Sequence, residues 1–555
     1  MTVTKPRTPQ KRLASPRELD DGHDRTHIKR TRKSSSGSHS ADKHSCILHS
    51  GIKPSGNLLF DSKVSIRRAG LGSLDALSDP LLLAVITSLS AKDILHLGSC
   101  SKALFAYCLH QPVWKDLFIR TANGKLQGWG GTWRKTYLQQ FRPNGSLRSN
   151  GACYMQHTFA TPIVDCTGIF SDELYQPYLC ANADIKQYFY PQSRHNRPGS
   201  TSRFNMIRVE AALTEGIFER SSKLASEPFI VSRALKYLGW PAFSSANDQG
   251  LTPRWAVGSL LKKYSHVTFR AEAFDCSLQT YCDYANNCSG EDAPLYLFDS
   301  RFVEKTEENG DPGMGADYAP PSFLKEDLFG LMGGKRPDYR WLIIGPEKSG
   351  STFHKDPNAT SAWNAVITGS KGWVMFPPDI CPPGVYVSED EAEVTSPLSL
   401  AEWFMSYFDA AWSEYGPNSH STANRGKMRI GVCHAGEIVY VPSGWWHLVV
   451  NLEASVAVTQ NFASEHELVD VLRFMRDKAD QTSGWSEDIA CTDLYETFCS
   501  VLQKERPTIL ENSLHVLNRG NEGAGDHQSV WDQVTKSASE EQKGFAFRFE
   551  VDDDD

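Results

Sequence analysis

The chain has 555 residues, 40% of them hydrophobic and 11% aromatic, with 14 Trp and a formal net charge of −8. That length exceeds one ordinary core and predicts roughly two to four domains. The charge gives no overall sign of a nucleic-acid partner, and no stretch of about 18 apolar residues or N-terminal apolar run predicts membrane spanning or secretion. The 13 Cys are scattered without a Cys-x-x-Cys pair, and Cys276, Cys282 and Cys288 lack zinc-finger spacing, which suits reduced thiols in cytosol or nucleus.

Residues 1–66 are polar and poor in large apolar side chains, so a disordered basic tail is expected. Between Met1 and Lys33 stand ten Lys/Arg against four Asp/Glu, and Lys29-Arg30-Thr31-Arg32-Lys33 reads as a nuclear-import signal or as a plain solvated tail. From Leu71 the pattern turns helical. Leu74, Leu77, Leu81, Leu82, Val85, Ile86 and Leu89 recur at helical spacing after the Asp79-Pro80 start. Ser90 is placed to cap a second helix, and Ala103 to Leu109 leads into Pro112-Val113-Trp114. Over 71–120 these short helices resemble an F-box, which implies a Skp-type adaptor of a cullin–RING ubiquitin ligase as partner. A small three-helix unit capping a larger domain is the plainer reading; three short helices bury little surface alone.

Residues 121–205, rich in Gly, Asn and Tyr, predict irregular linking structure packed on the core, with an exposed loop over 194–203. A helix is expected over 217–226, strands at 228–231 and 267–271, an amphipathic helix over 255–264 and a buried strand at 294–299. A polar loop over 299–327 follows. Short strands then succeed one another: 341–344, 363–368, 373–376, 438–441, 447–452 and 456–459. Their spacing predicts a mixed fold, all-α helices followed by a double-stranded β-helix, a jelly-roll barrel of cupin-like type. Residues 388–426 read as an insertion with a helical piece at 400–415. After 465, Leu468, Val471, Leu472 and Met475 share one helical face and a second helix is expected over 489–503. This cap over 466–518 is a candidate for homodimer contacts, and a disordered acidic tail is expected over 519–555.

The chemistry lies in Ser351-Thr352-Phe353-His354-Lys355-Asp356 and Pro442-Ser443-Gly444-Trp445-Trp446-His447. Residues i and i+2 of a strand face one side, so His354 and Asp356 can reach one metal, and His447 can join them from an opposite strand. Two His and one carboxylate make the facial triad of non-haem Fe(II), which leaves coordination positions open. Singly, His354 could be a surface residue and His447 a core histidine; His434 is a weaker alternative ligand. Lys371, at a turn or strand start, offers a cation for a co-substrate carboxylate or is a solvated turn lysine. Ser351 supplies a hydroxyl, and Thr459 and Asn461 share one strand face.

The stretches Pro-Leu-Tyr-Leu-Phe-Asp-Ser, Ser-Ala-Trp-Asn-Ala-Val, Gly-Trp-Trp-His-Leu-Val-Val-Asn-Leu and Ala-Val-Thr-Gln-Asn-Phe carry a further likeness. Through them 206–465 resembles the JmjC oxygenases, in particular the lysyl hydroxylase and arginine demethylase branch. The resemblance implies Fe(II) on His354, Asp356 and His447, and 2-oxoglutarate on Ser351, Asn364, Lys371 and Thr459. Tyr296 falls on a tyrosine that faces the co-substrate, or is simply a core aromatic. Relatives often carry Thr where Ser351 stands. It further implies oxidation of a protein side chain, in a basic peptide or histone, coupled to conversion of 2-oxoglutarate to succinate. Hydroxylation of carbon leaves an alcohol, whereas oxidation of an N-methyl group sheds formaldehyde. The rival is a ubiquitin-ligase adaptor whose barrel only recognises substrate, and a cupin-like metal barrel acting on a small molecule is a third reading.

Overall fold

Alternating apolar residues between 340 and 462 fold as eight strands of two sheets, beside a short hairpin of Tyr386–Val387 and Val394–Thr395, in a computed structural model, which describes residues 52–55, 65–147, 164–190, 204–211, 225–244 and 252–522, except 289, 309 and 398. They are β1 (Arg340–Gly345), β2 (Gly350–His354), β3 (Ser361–Thr368), β4 (Ser370–Phe376), β5 (Arg429–His434), β6 (Ile438–Val441), β7 (Trp446–Asn451) and β8 (Ser455–Phe462). They divide between two sheets, ordered β6-β3-β8-β1 and β5-β4-β7-β2, each antiparallel throughout. The first sheet extends to nine strands. Phe229–Ser232 and Ile207–Glu210 continue it beyond β6, and Leu297–Asp299, Thr268–Ala271 and Phe274–Ser277 continue it beyond β1. This order is consistent with the expected jelly roll.

Strand parity sets what faces what. On β3, Ala362 and Val366 join Trp373 and Met375 of β4, Val439 and Val441 of β6 and Val449 of β7 in an apolar cluster between the sheets. The alternate residues point outward. Trp363, Ala365, Ile367, Val456 and Val458 enter a large outer core. Val374, Phe376, Leu448 and Val450 pack instead under Trp403, Phe404 and Phe408, from the inserted helices Leu400–Ser406 and Phe408–Tyr415. The described parts of both sheets are thus packed on their inner and outer sides, and a cavity between them is lined by residues of both.

The N-terminal helices Asp79–Ser88, Ala91–Gly98, Lys102–Leu109 and Gln111–Ala122 form as expected, with the Ser90 hydroxyl accepting from the Asp93 N–H. Their core is continuous with the outer core of the larger sheet. Phe118 and Trp133 reach Phe274 at ring-centroid distances of 5.8 and 5.1 Å.

Four expectations need correction. Residues 121–205 are not merely irregular: they contain helices Trp133–Gln140 and Asp172–Asn182, each begun by a hydroxyl cap, Thr132 and Ser171. Ile52–Ser55, inside the stretch expected to be disordered, pairs in parallel with Val164–Phe170. The helix expected over 489–503 is broken into Glu487–Ala490 and Leu494–Glu505, because the Asp493 carboxylate caps a new start. A further helix, Pro507–Glu522, runs past residue 518. The basic cluster at 29–33, the loop at 194–203 and residues 217–224 lie outside the described residues. Among the described residues no single helix is long and apolar enough to cross a membrane.

Candidate metal centre

His354 ends β2 and stands directly across from His447 on β7, with ring centroids 4.1 Å apart. Asp356 is not on the strand, as strand parity had implied; it lies two residues past the end of β2, at the head of the turn Pro357–Ala359. The turn brings its Oδ1 to 3.9 Å from His447 Nε2. One donor atom from each of the three residues lies within 4.8 Å of the others, the only such group among the described residues. His434, the alternative ligand, is exposed at the end of β5.

Local bonds fix how each ring presents itself. His354 Nδ1 lies 2.7 Å from the Thr352 carbonyl and His447 Nδ1 3.1 Å from the Trp445 carbonyl. Both rings therefore carry the proton on Nδ1 and turn the Nε2 lone pair inward, which is the tautomer a metal requires. Burial and the neighbouring His447 pull the His354 imidazole down to about 4, against the opposing pull of Asp356, so it is neutral at pH 7.

A bulge completes this edge. Ser351 pairs with Val449 while His354 pairs with His447, so three steps on β2 oppose two on β7. The extra residue lets side chains three apart face the same cavity. Ser351, His354, Asp356 and His447 all line it, with Tyr296, Asn364, Thr459 and Asn461.

The other end is built by plain pairing. Asn364 and Thr459 are cross-strand partners on β3 and β8, and Lys371 is the partner of Asn451 on β7. Lys371 lies within β4, wholly buried. It is not itself on the cavity wall; its Nζ donates to the Tyr296 hydroxyl at 2.6 Å and to Asn451 Oδ1 at 2.9 Å. Tyr296 does line the cavity and thus connects the lysine to it. Burial pulls the Lys371 amine down to about 7, while burial pushes the neighbouring Cys433 thiol well up, so it stays neutral. Among the described residues no carboxylate bonds this amine. A buried cation held only by neutral acceptors is costly and would gain from an anion.

Strand parity alone could have found two further residues that the sequence reading passed over. Asn451 lies four after His447 on the same face of β7, and Trp373 lies two after Lys371 on the same face of β4. Asn451 also accepts from Ser455 Oγ at 2.7 Å and donates to Ser349 Oγ at 2.9 Å. Gly345 leaves room for this network, since a Cβ there would collide with Ser349 Oγ, Asn451 Nδ2 and Tyr296.

Three buried polar atoms on the cavity wall have no hydrogen-bond partner among the described residues: Asp356 Oδ2, Asn364 Oδ1 and Trp373 Nε1. Buried polar groups are rarely left so. A carboxylate and two imidazole nitrogens fit a divalent metal, and an N–H donor and a lysine beyond them fit an oxygen-rich anion. The donor set therefore suits a metal with a carboxylate co-ligand.

Comparison with known proteins agrees on the class. A family model described as a cupin-like domain matches residues 216–467. The chain is 36% identical over 488 residues to the arginine-specific demethylase JMJ22 of Arabidopsis thaliana, covering 87% of each. It is 35% identical over 222 residues, 39% of this chain and 53% of the relative, to the bifunctional arginine demethylase and lysyl-hydroxylase psr-1 of Caenorhabditis elegans. The 2-oxoglutarate and iron-dependent oxygenase JMJD4 of Danio rerio is 28% identical over 177 residues, 30% of this chain and 37% of the relative. The chain belongs to the JmjC-type cupin-like family that these proteins share.

Proposed function

We propose that this protein is an Fe(II)- and 2-oxoglutarate-dependent oxygenase that oxidises a basic side chain of a protein substrate, on a jelly-roll barrel. The observation that carries the reading is one cavity lined by a His-Asp-His donor set and by Tyr296, with a buried lysine behind Tyr296 that has no anionic partner among the described residues. His354, Asp356 and His447 would hold the metal on one side of the cavity, leaving the rest of its coordination sphere to co-substrate and oxygen. Lys371, through Tyr296, would hold the far carboxylate of 2-oxoglutarate, and Ser351, Asn364 and Thr459 would border the co-substrate. When bound, Fe(II) supplies the oxygen chemistry that couples decarboxylation to oxidation of a substrate C–H bond. The barrel residues orient the co-substrate, and the apolar lining of Ala362, Val441 and Val449 keeps water scarce.

Either lysyl hydroxylation or arginine or histone demethylation is compatible with this site. The names of the relatives favour demethylation for JMJ22 and both for psr-1. Succinate release over a panel of Lys- and methyl-Arg-containing peptides, with mass spectrometry, tests the reading. Gain of one oxygen marks hydroxylation, and loss of methyl with formaldehyde marks demethylation. No succinate from wild type with any peptide, or equal release from Asp356→Ala, would contradict it.

The N-terminal helices support an F-box reading through one feature. Leu81 and Val85, on the outer face of Asp79–Ser88, are 56% and 46% exposed, an apolar strip suited to a partner helix. In this reading the strip binds a Skp-type adaptor, and the protein acts in the nucleus. Co-purification of such an adaptor, lost in Leu81→Glu/Val85→Glu, checks it; equal recovery from wild type and variant would refute it.

A further inference from the structure

The turn that carries Asp356 is unusual backbone. After Pro357, Asn358 and Ala359 both sit at positive φ, 56° and 53°, a region that non-glycine residues avoid and that tends to mark functional sites. Two such residues in succession persist only if their surroundings hold them. Asn358 is 3% exposed and exchanges two hydrogen bonds with the backbone of Ser483. Its Nδ2 donates to the Ser483 carbonyl at 2.9 Å and its Oδ1 accepts from the Ser483 N–H at 3.1 Å.

Ser483 does not belong to the barrel. It lies between the helices Leu468–Asp477 and Leu494–Glu505. The adjoining Gly484 carbonyl accepts from the Asp338 N–H at 2.7 Å, tying the same link to the entry of β1. Ala359 packs against the apolar cluster of Leu468, Leu472 and Phe498, and its carbonyl accepts from Ser443 Oγ at 2.7 Å. The turn is thus clamped between the barrel and the C-terminal helices.

Asp356 is off the strand, so its approach to His447 depends on this turn. We infer that Asn358 is a positioning residue for the metal carboxylate, and that the C-terminal helical unit, acting through Ser483, is part of the metal site. The inference rests on the proposed metal reading of His354, Asp356 and His447.

Co(II) titration of the full-length protein tests it, read by affinity and by the visible d–d spectrum, which reports ligand geometry and does not require turnover. Asn358→Ala should weaken Co(II) binding by about 10–100-fold, the usual cost of losing a group that supports a ligand, and change the band shape. Asn358→Gly, which tolerates positive φ, should show the same loss, because the side-chain bonds and not the φ angle are removed. Asn358→Asp retains the acceptor for the Ser483 N–H and should fall between. If Asn358→Ala does not fold, the Gly and Asp variants decide.

Wild-type affinity and spectrum in both would overturn the inference while leaving the metal reading intact, provided that Asp356→Ala abolishes binding. Co(II) binding that is absent in wild type, or unaffected by Asp356→Ala, would remove the metal site and this inference with it.

Discussion

The two ends of the cavity are built by different means. At the proposed co-substrate end, two pairs on regular strands, Lys371 with Asn451 and Asn364 with Thr459, are each brought together because cross-strand partners face the same way. At the metal end, His354 reaches the cavity past a bulge and Asp356 from a strained turn. The first end is distinguished by a buried lysine that no carboxylate bonds among the described residues. The second is distinguished by backbone geometry that ordinary pairing would not produce. Charge can be tested by titration and by removal of the cation, geometry by altering what holds the turn.

The largest effect is expected at the metal end. Asp356→Ala should lower succinate release by about 10³-fold or more, because groups that act as one unit fail together; residual turnover within tenfold of wild type would break the assignment. Next comes the lysine. Lys371→Ala should raise the Kd for 2-oxoglutarate by about 10–150-fold, the worth of a charge-assisted bond of about 1.5–3 kcal/mol, measured calorimetrically with Mn(II) in place of iron. Unchanged affinity would mean that the cation does not meet the co-substrate.

The pH dependence should follow from the same cation. Burial depresses the free amine to about 7, and a bound carboxylate would raise it, so binding takes up a proton above that pH. Affinity for 2-oxoglutarate should therefore be greatest below pH 7. It should fall by up to about tenfold per pH unit above 7, until the pH reaches the pKa of the bound state. Affinity flat from pH 6 to 9 would contradict this. The smallest effect is expected at Thr459, whose hydroxyl donates to the Trp363 carbonyl at 2.8 Å. Thr459→Val should weaken co-substrate binding by about 2–10-fold, the net value of one neutral hydrogen bond.

The same contrast explains what the sequence could reveal. Period-2 alternation makes strands such as β3 and β8 readable, and it would have led from Lys371 to Trp373 and from His447 to Asn451. A bulge leaves no such trace: Ser351 and His354 are three apart, a spacing that parity sends to opposite faces, and Ser351 is placed beside the site by its nearness in sequence to His354 and by the likeness to JmjC proteins. β5 was not anticipated, because Arg-Ile-Gly-Val-Cys-His follows a turn-rich stretch and carries a glycine. That glycine sits in a tight place, since a Cβ at Gly431 would lie 3.1 Å from Met206 Cβ and press on that side chain. The polar pattern of 121–205 hid helices whose caps, Thr132 and Ser171, were visible as residues but not recognised as starts. The hold of Ser483 on Asn358 spans 125 positions and runs through backbone groups, which composition cannot show.

His354, Asp356 and His447 should together bind one divalent metal in a cavity shared with a 2-oxoglutarate carboxylate. Anomalous diffraction at the iron edge, from crystals grown anaerobically with Fe(II) and 2-oxoglutarate, tests it most directly. A single strong peak is expected between the two imidazoles and the Asp356 carboxylate, with co-substrate density running toward Tyr296 and Lys371. A peak elsewhere, or none at this position with iron in excess, would contradict it.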